Sequence, residues 1–539
     1  MKIKKFLALL LACAMLMSVL VACGKQEEAA EPEAPESAPA EQEAPVEEAS
    51  KEVVFPLEEK MTFTVFAAEQ NSETTNIPNN LAWQKAFEMA NIDFEFTEIV
   101  SFTDVAEKRN LVINSGDYPE VFMRCNLEAD KYGEEGILIP LEDLIREYAP
   151  NLTKKLDELN GWGHLQSPDG HIYAMPNISV AQPGYPPIWI NKAWLDNLGL
   201  EEPKSYDDLY NVLKAFKEQD ANGNGDPNDE IPYFPTSGWP MWELIVYEDF
   251  LNERGADVGI KDGEVFHLKY SESYKDILAF GAKLYQEGLM YKDAYTTNEE
   301  QRVAIAQSTT DNTVGMFADW APYFVVGNDI AKDAEYIWLK PFQEGTLALQ
   351  DSVSKHGLYI TDKCKNPEVI VAFCDYFYSE EGAILRAMGV EGETYKMHED
   401  GTFEYLVGNG YGDTVTDVRN NNTINNNSIF GAMPDLYYNM KATEGSELEA
   451  HLRSERGTVA PMCAPFPALA LTAEENDQIA TILTDMNLYA ATYEAEVVTG
   501  VKDLEATWDE YMATMKNMGA DTVNAVYQAA YDREMAANN

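Results

Sequence analysis

Apolar and polar residues alternate along this chain in blocks of two kinds. Met61-Thr-Phe-Thr-Val-Phe-Ala67 is mostly apolar with recurring β-branched residues, which predicts a strand in a covered sheet. Glu69 to Pro78 reads as a polar loop at its carboxyl end. From Asn80 to Asn91, Trp83, Phe87 and Ala90 recur at helical spacing. Ile92 to Val100 reads as a second strand, Asp104 to Ile113 as a second helix, and Glu120 to Met123 as a third strand. Strands and helices alternating in units of this size predict a parallel sheet with helices on both faces. Ligands of such sheets bind beyond the strands' carboxyl ends. That places Glu69, Gln70, Asn71, Arg124 and Asn126 at the mouth of this unit. For each, a solvated loop residue is the plainer alternative.

A second block begins at Gly184-Tyr-Pro-Pro-Ile-Trp-Ile190, which is rigid and extended and suits a hinge strand. Lys192 to Leu198 follows with a helical pattern that Gly199 stops. Ser205 is a good N-cap, with Asp208 three residues on in a capping-box-like relation. Tyr206, Leu209, Tyr210, Leu213 and Phe216 then share one helical face. This helix runs into Asp220-Ala-Asn-Gly-Asn-Gly-Asp-Pro-Asn-Asp-Glu230, which cannot be helix and is dense in oxygen donors. Asp220, Asn222 and Asn224 alternate as in the first half of a calcium-binding EF-hand loop. Gly225 stands at its sharp turn, and Asp226 would offer a backbone carbonyl. Position twelve is Ile231 rather than a bidentate Glu, so the loop is not an EF-hand. The simpler alternative is a Gly-Asn turn that ends a helix. Further on, Gly315 to Phe317 reads as a strand with Asp319-Trp320 in the loop at its end.

These blocks carry an ordered series of motifs: the "INK" end of a strand, Trp194-Leu-Asp-Asn-Leu-Gly-Leu200, the Ser205 helix start and the Asp220 to Pro232 loop. Outside them stand Asn114-Ser-Gly-Asp-Tyr-Pro-Glu120, Gly136 to Asp143, Asp169 to Pro176, Asn366-Pro-Glu368, Ser379-Glu-Glu-Gly382 and Gly389-Val-Glu-Gly392. A C-terminal helix pair begins at Trp508-Asp-Glu-Tyr511 and closes with Ala530-Tyr-Asp-Arg533. Over about residues 56 to 535 the chain resembles the family 1 extracellular solute-binding lipoproteins, the carbohydrate-uptake receptors of ABC importers.

The resemblance implies an α/β, two-lobed, periplasmic-binding-protein-like fold. Each lobe would be a mainly parallel sheet flanked by helices, with hinge strands joining the lobes. The chain would return to the first lobe near Ser352 to Ile360 and cross again near Val459 to Phe466. The first lobe would then comprise residues 56–184 and 355–458, and the second 185–354 and 459–539. Three short connections allow hinge closure around a ligand. The family's own calcium loop implies a structural Ca2+ held by Asp220, Asn222, Asn224, the Asp226 carbonyl, Asp229 and Glu230. The usual spacing is one residue shorter, which leaves open which of Asn228, Asp229 and Glu230 coordinate. The family's cleft tryptophan corresponds to Trp320. Sugars stack apolar C–H faces on rings and need carboxylate and amide partners for their hydroxyls. Trp320, Tyr323, Trp239 and Trp242 supply rings; Asp319, Asn126, Arg124, Glu69 and Asn71 supply polar groups. Core packing is the alternative for each ring. The implied partners are an oligosaccharide and the permease subunits of an importer, with the receptor acting as a monomer.

Composition adds location. Lys2, Lys4 and Lys5 precede the apolar run Phe6 to Met17, the pattern of a signal peptide over residues 1–22. Leu20-Val21-Ala22-Cys23 reads as a lipobox, with Cys23 the site of lipidation; an ordinary secretory signal with a chance Cys is the alternative. Residues 23–55 are rich in Glu, Ala and Pro and read as a disordered tether. The protein is expected on the outer face of the cytoplasmic membrane, anchored by lipid. A formal charge of −53 over 539 residues argues against nucleic acid and anionic lipid surfaces as partners. Cys125, Cys364, Cys374 and Cys463 show no metal spacing and read as buried free thiols, although Cys364 and Cys374 could bridge. The six histidines lack HExxH spacing, and neither GxSxG nor GxxxxGK[ST] occurs, so no catalytic constellation stands out. An oligosaccharide receptor is the leading expectation. A receptor for another solute such as a peptide, a sensor partner, and a glycan hydrolase are the alternatives.

Overall fold

The computed structural model describes residues 53–537, apart from residues 70–76, 103, 180–185, 237–239, 246–247, 254–256, 328, 350–352, 425–429, 435–440, 443–445, 447, 450–462, 468 and 470. Cys23 and the tether lie outside the described residues. Among the described residues no helix is long and apolar enough to cross a membrane.

One six-stranded sheet collects β1 (Met61–Glu69), β2 (Ile92–Ser101), β3 (Val121–Met123), β4 (Ala174–Ile178), β13 (Val353–Ile360) and β16 (Gly431–Ala432), in the order β16-β4-β13-β3-β1-β2. β1 runs parallel to both β2 and β3. The near-continuous apolar character of β1 has a direct cause. Phe63, Val65 and Ala67 enter one core, whereas Phe66 and Ala68 enter another on the opposite face. A strand buried on both faces has no room for alternation. The helix Leu81–Ala90 between β1 and β2 starts where Asn80 accepts the Ala82 and Trp83 N–H groups. It ends at Asn91 in the left-handed region.

The second lobe has its own core, drawn from residues 188–348 and 466–527. Its central sheet has the order β11-β5-β10-β6, from β5 (Ile188–Asn191), β6 (Ile231–Tyr233), β10 (Val314–Ala318) and β11 (Tyr336–Trp338). A further sheet joins β7 (Leu251–Glu253), β8 (Val258–Lys261), β9 (Glu264–His267), β12 (Leu347–Leu349) and β17 (Cys463–Pro465). Helices Ala473–Val498, Leu504–Met518 and Ala520–Ala537 complete this lobe. A small hairpin of β14 (Tyr395–Met397) and β15 (Phe403–Tyr405) packs in a separate apolar cluster.

The central sheet of each lobe is mainly parallel as expected, with one antiparallel strand in each: in the second lobe β6, β10 and β11 share one direction and β5 opposes them. In the first sheet β13 is likewise antiparallel to β3 and β4. The reason is geometric. A βαβ crossover makes neighbouring strands parallel. β5 and β13 instead begin beside the carboxyl ends of their neighbours, Ile188 opposite Ala318 and Val353 opposite Ile178. A strand that enters at the mouth of a sheet must run against the strands that end there.

Around β5 and β10 local prediction and packing agree. The helix Lys192–Leu198 ends at Gly199 in the left-handed region, and Ser205 caps Tyr206–Glu218 by accepting the Asp208 N–H at 3.1 Å. The capping box is not reciprocal, because the Asp208 carboxylate accepts the Lys204 N–H instead. Leu209, Val212, Leu213 and Phe216 are buried, and Trp194 meets Phe216 edge-on at 5.1 Å. Gly315 lets β10 approach this pair. A Cβ there would lie 2.6 Å from the Phe216 ring and 2.8 Å from the Pro232 carbonyl oxygen.

Candidate functional site

At the mouth of the first sheet, Glu69 is the last residue of β1 and Arg124 follows β3. Their side chains are 1% and 4% exposed and form an ion pair at 2.5 Å. Buried charges persist in proteins when paired in this way. Arg124 and Asn126 have φ of 58° and 46°, a left-handed conformation that non-glycine residues rarely adopt and that clusters at binding and switch regions. Arg109, from the helix Val105–Ser115, donates to the carbonyls of Cys125 and Asn126 and pins this turn. The Arg124 guanidinium lies over the Phe102 ring at 4.5 Å. Phe102 is 41% exposed, and its N–H donates to the Glu69 carbonyl at 3.0 Å. Asn126 is exposed. Gln70 and Asn71 lie outside the described residues.

At the mouth of the second sheet, β10 ends at Ala318 and the chain turns through Asp319 and Trp320. Arg302 organises this turn. Its side chain is 1% exposed, and it donates to Glu299 from two nitrogens and to Asp319 Oδ2 at 2.7 Å. The other Asp319 oxygen accepts the Trp320 N–H at 2.7 Å, and the Asp319 carbonyl accepts the Trp189 indole N–H at 2.8 Å. Burial pushes the Asp319 carboxyl up to about 6, against the downward pull of Arg302. The backbone is thus fixed while the Trp320 side chain stays 49% exposed. That exposure rules out core packing for Trp320. Tyr323 by contrast is buried, with Phe324 packed on it at 4.6 Å and itself 48% exposed.

Beside β10, Tyr233 and the Thr236 N–H both donate to the fully buried Glu243, at 2.7 Å and 2.5 Å. Burial raises the pKa of this carboxyl. Glu243 lies in the helix Trp242–Ile245 and so ties that helix to the chain leaving β6. Trp239 lies outside the described residues, and so does the side chain of Trp242.

Two ring residues, Phe102 and Phe324, were not singled out from the sequence. The usable signal for Phe102 is its place, two residues past a predicted strand that ends at the ligand face. Phe324 sits in a run of apolar residues, Tyr323 to Val326, that gives no sign of which ring faces out.

The loop Asp220–Glu230 lies at the other end of this sheet. It precedes β6, whose Ile231 pairs with Val314 at the start of β10, whereas Trp320 follows the end of β10. Asn222 and Asn224 amides donate to the two Asp229 oxygens, at 3.2 and 2.8 Å, and the Gly225 N–H donates to Asp220 Oδ2 at 2.9 Å. Asp220 Oδ1 and Glu230 Oε2 are buried and accept no hydrogen bond among the described residues. Burial, with Asp229 beside it, raises the Glu230 pKa. Two buried oxygens lacking a donor, in a loop of carboxylates, amides and carbonyls, fit a hard divalent cation. Among the described residues no three acidic, His or Cys side chains converge, so amide and carbonyl oxygens would have to complete such a site.

Cys125, Cys364 and Cys374 are free thiols, so Cys364 and Cys374 do not bridge. The Cys463 side chain lies outside the described residues.

Two lobes, each with its strands ending at a mouth, and strands that pass between them, define a two-domain binding-protein architecture. Residues 72–384, more than half of the chain, match the bacterial extracellular solute-binding proteins, and the chain belongs to that family. It is similar to the fructooligosaccharide ABC transporter substrate-binding protein FusA of Streptococcus pneumoniae, 29% identical over 566 residues and all of both chains. The structure of FusA with kestose superimposes with a TM-score of 0.71 at 26% identity, over 89% of this chain and 100% of that one. FusA has also been solved as an EF-hand mutant with fructo-nystose. An HMO-binding, ABC-transporter-associated solute-binding protein of Bifidobacterium longum infantis shares the fold, with a TM-score of 0.73 at 18% identity over 88% of this chain and 99% of that one. The polygalacturonan/rhamnogalacturonan-binding protein YtcQ of Bacillus subtilis is 24% identical over 60% of this chain and 66% of its own length.

The Asp319 environment makes a pH prediction. An acid whose folded pKa lies above its unfolded value keeps its proton longer in the folded state. Stability therefore falls as pH rises through the window from about 4 to about 6. Between pH 5 and pH 7 this group should cost the wild-type chain on the order of 1 kcal/mol, a loss that Asp319→Asn removes. Urea midpoints of both proteins at the two pH values check it; the same pH dependence in both would refute it.

Proposed function

We propose that this protein is the substrate-binding component of an ABC importer, which captures an oligosaccharide between its lobes and delivers it to the membrane permease. The similarity to FusA along the whole of both chains carries this reading. The site adds physical support: a half-exposed indole on a backbone fixed by Asp319 and Arg302, at the carboxyl end of a strand. Binding rather than catalysis is the role of this family. Residues 56–184 with 355–458, and 185–354 with 459–539, are proposed as the two lobes, and closure as bending about their connections. Trp320 with Asp319 forms the second-lobe side of the site. The buried Arg124–Glu69 pair and exposed Asn126 belong to the first-lobe side. Trp239, Trp242 and Asn71 stay as candidates around them, while the buried Tyr323 gives way to its exposed neighbour Phe324. The protein is proposed to act as a monomer, held by lipid on Cys23 at the outer face of the cytoplasmic membrane.

Trp320→Ala tests the site. An aromatic hot spot contributes about 2 kcal/mol, or about thirtyfold in affinity. Titration calorimetry against an oligosaccharide panel including kestose should show at least a tenfold loss with a near-normal melting temperature. Unchanged affinity in a stable variant would move the site elsewhere.

The Asp220–Glu230 loop is proposed to hold a structural Ca2+ through Asp220, Asn222, Asn224, the Asp226 carbonyl, Asp229 and Glu230. Calcium there would supply a counter-charge for oxygens that no donor among the described residues reaches. A cation at ten times its Kd stabilises the folded state by about 1.4 kcal/mol. EDTA should lower the melting temperature, and Asp220→Ala should abolish the difference. Because the loop lies at the far end of β6 and β10 from Trp320, oligosaccharide affinity should stay the same with and without EDTA. A melting temperature indifferent to EDTA leaves the plain turn.

Cys23→Ala should move the protein from the washed membrane fraction to the soluble fraction. Retention of the variant on membranes would disprove the lipid anchor.

A further inference from the structure

Tyr233 has one hydroxyl proton and two oxygens that compete for it. The Pro240 carbonyl oxygen lies 2.8 Å from its Oη and Glu243 Oε2 lies 2.7 Å from it, and both side chains are fully buried. The Glu243 contact alone would make Tyr233 the donor. The Pro240 carbonyl changes that assignment. A carbonyl oxygen only accepts, and so does an ionised carboxylate. With Glu243 ionised, one of these two short contacts would hold no proton between its oxygens. A protonated Glu243 satisfies both. Its Oε2–H donates to Tyr233, whose own O–H donates to Pro240, while Glu243 Oε1 accepts the Thr236 N–H at 2.5 Å.

The surrounding charges agree. Arg302, from the helix Glu299–Ala306, is the cation that Glu243 feels. It already bonds the Glu299 and Asp319 carboxylates, so an ionised Glu243 would be a third negative charge around one guanidinium. Tyr295 and the buried Glu494 also act on Tyr233, and Glu494 accepts from Tyr274 at 2.9 Å and Tyr295 at 3.4 Å. Burial raises the Glu243 pKa against the pull of Thr236, Tyr233 and Arg302. Thr236 carries this hold toward the site. Its N–H is on Glu243, and its hydroxyl donates to the Ala318 carbonyl at 3.4 Å. Two residues earlier, the Phe234 N–H donates to the Met316 carbonyl at 2.8 Å. Ala318 is the last residue of β10, and Asp319 and Trp320 follow it.

We infer that Glu243 is a positioning residue of the binding site and acts in its protonated form. Its carboxylic acid donates to Tyr233, accepts from Thr236, and through Thr236 braces the end of β10 that presents Trp320. The ligand side of this rests on the oligosaccharide reading above; the protonation state does not. Ionisation would set acceptor against acceptor at Tyr233 and release the brace.

The full chain, solubilised in mild detergent, tests both halves. In the unfolded chain Glu243 ionises near the ordinary value of about 4.3. Above that pH the folded state keeps a proton that the unfolded state has released, so stability falls as pH rises. Urea midpoints at pH 5.5 and 7.5 should show the folded-to-unfolded ratio of wild type falling at least about tenfold further than that of Glu243→Gln. Asp319 and Glu494 titrate in both proteins and cancel. Equal pH dependence in the two overturns the protonated state. The affinity probe is the tightest binder among kestose, maltotriose, cellotriose and mannotriose. A carboxamide copies the protonated acid, donating to Tyr233 and accepting from Thr236, so Glu243→Gln should bind within about twofold of wild type. Glu243→Leu can do neither, and where it melts cooperatively it should bind about tenfold more weakly. Thr236→Val keeps the side-chain shape and loses the hydroxyl. It should weaken binding several-fold with a near-normal melting temperature. Full affinity in Thr236→Val, or lost affinity in a cooperatively melting Glu243→Gln, overturns the positioning role. If wild type binds none of the four trimers, the oligosaccharide reading fails, and the pH dependence alone decides Glu243.

Discussion

A guanidinium with almost no exposure needs counter-charges and acceptors on several sides, and Arg302 obtains them by fixing the end of β10. Glu299 comes from its own helix, three residues earlier. Asp319 comes from the residue after the strand, and the Ala318 carbonyl from the strand itself. Once Asp319 is held, its second oxygen takes the Trp320 N–H and its carbonyl takes the Trp189 indole. The indole of Trp320 is then presented from a backbone with little freedom to move. Rigidity at that point matters, because a ring that must be ordered on binding loses affinity to entropy.

The first lobe solves a related problem with different parts. Glu69 and Arg124 neutralise each other in the interior, and the left-handed turn through Arg124 and Asn126 is held by Arg109. In both lobes buried charge holds backbone at the strand ends. The strands that enter each sheet from the other lobe, β5 and β13, run antiparallel to the strands beside them. Both therefore begin at the ends of their sheets where Glu69, Arg124, Asp319 and Trp320 stand.

Much of this was readable along the chain because it is local. The apolar run of β1, the Ser205 cap, the Gly199 stop and the oxygen-rich loop after Phe216 all follow from side chains within a few residues of one another. The ordered motifs from Asn114 to Arg533 identified the family and, with it, a two-lobed fold. An extended strand buried on both faces and an amphipathic helix write their surroundings into their own sequence.

What only the tertiary structure decided is pairing between residues far apart, and the direction in which strands enter. Nothing in the neighbourhood of Glu69 shows that Arg124, fifty-five residues on, is its partner; from the sequence both were free polar groups at a mouth. Tyr323 and Phe324 are adjacent rings of similar character, and the packing of the helix Pro322–Val326 chooses which one is buried. The antiparallel entry of β5 and β13 depends on where the other lobe hands over the chain. The sequence by itself pointed to which segments are strands, helices and oxygen-rich loops, because those depend on short-range periodicity and donor chemistry. Charge neutralisation, ring exposure and strand direction were settled by the fold, because each is a property of groups that meet only when the lobes have closed around their cores.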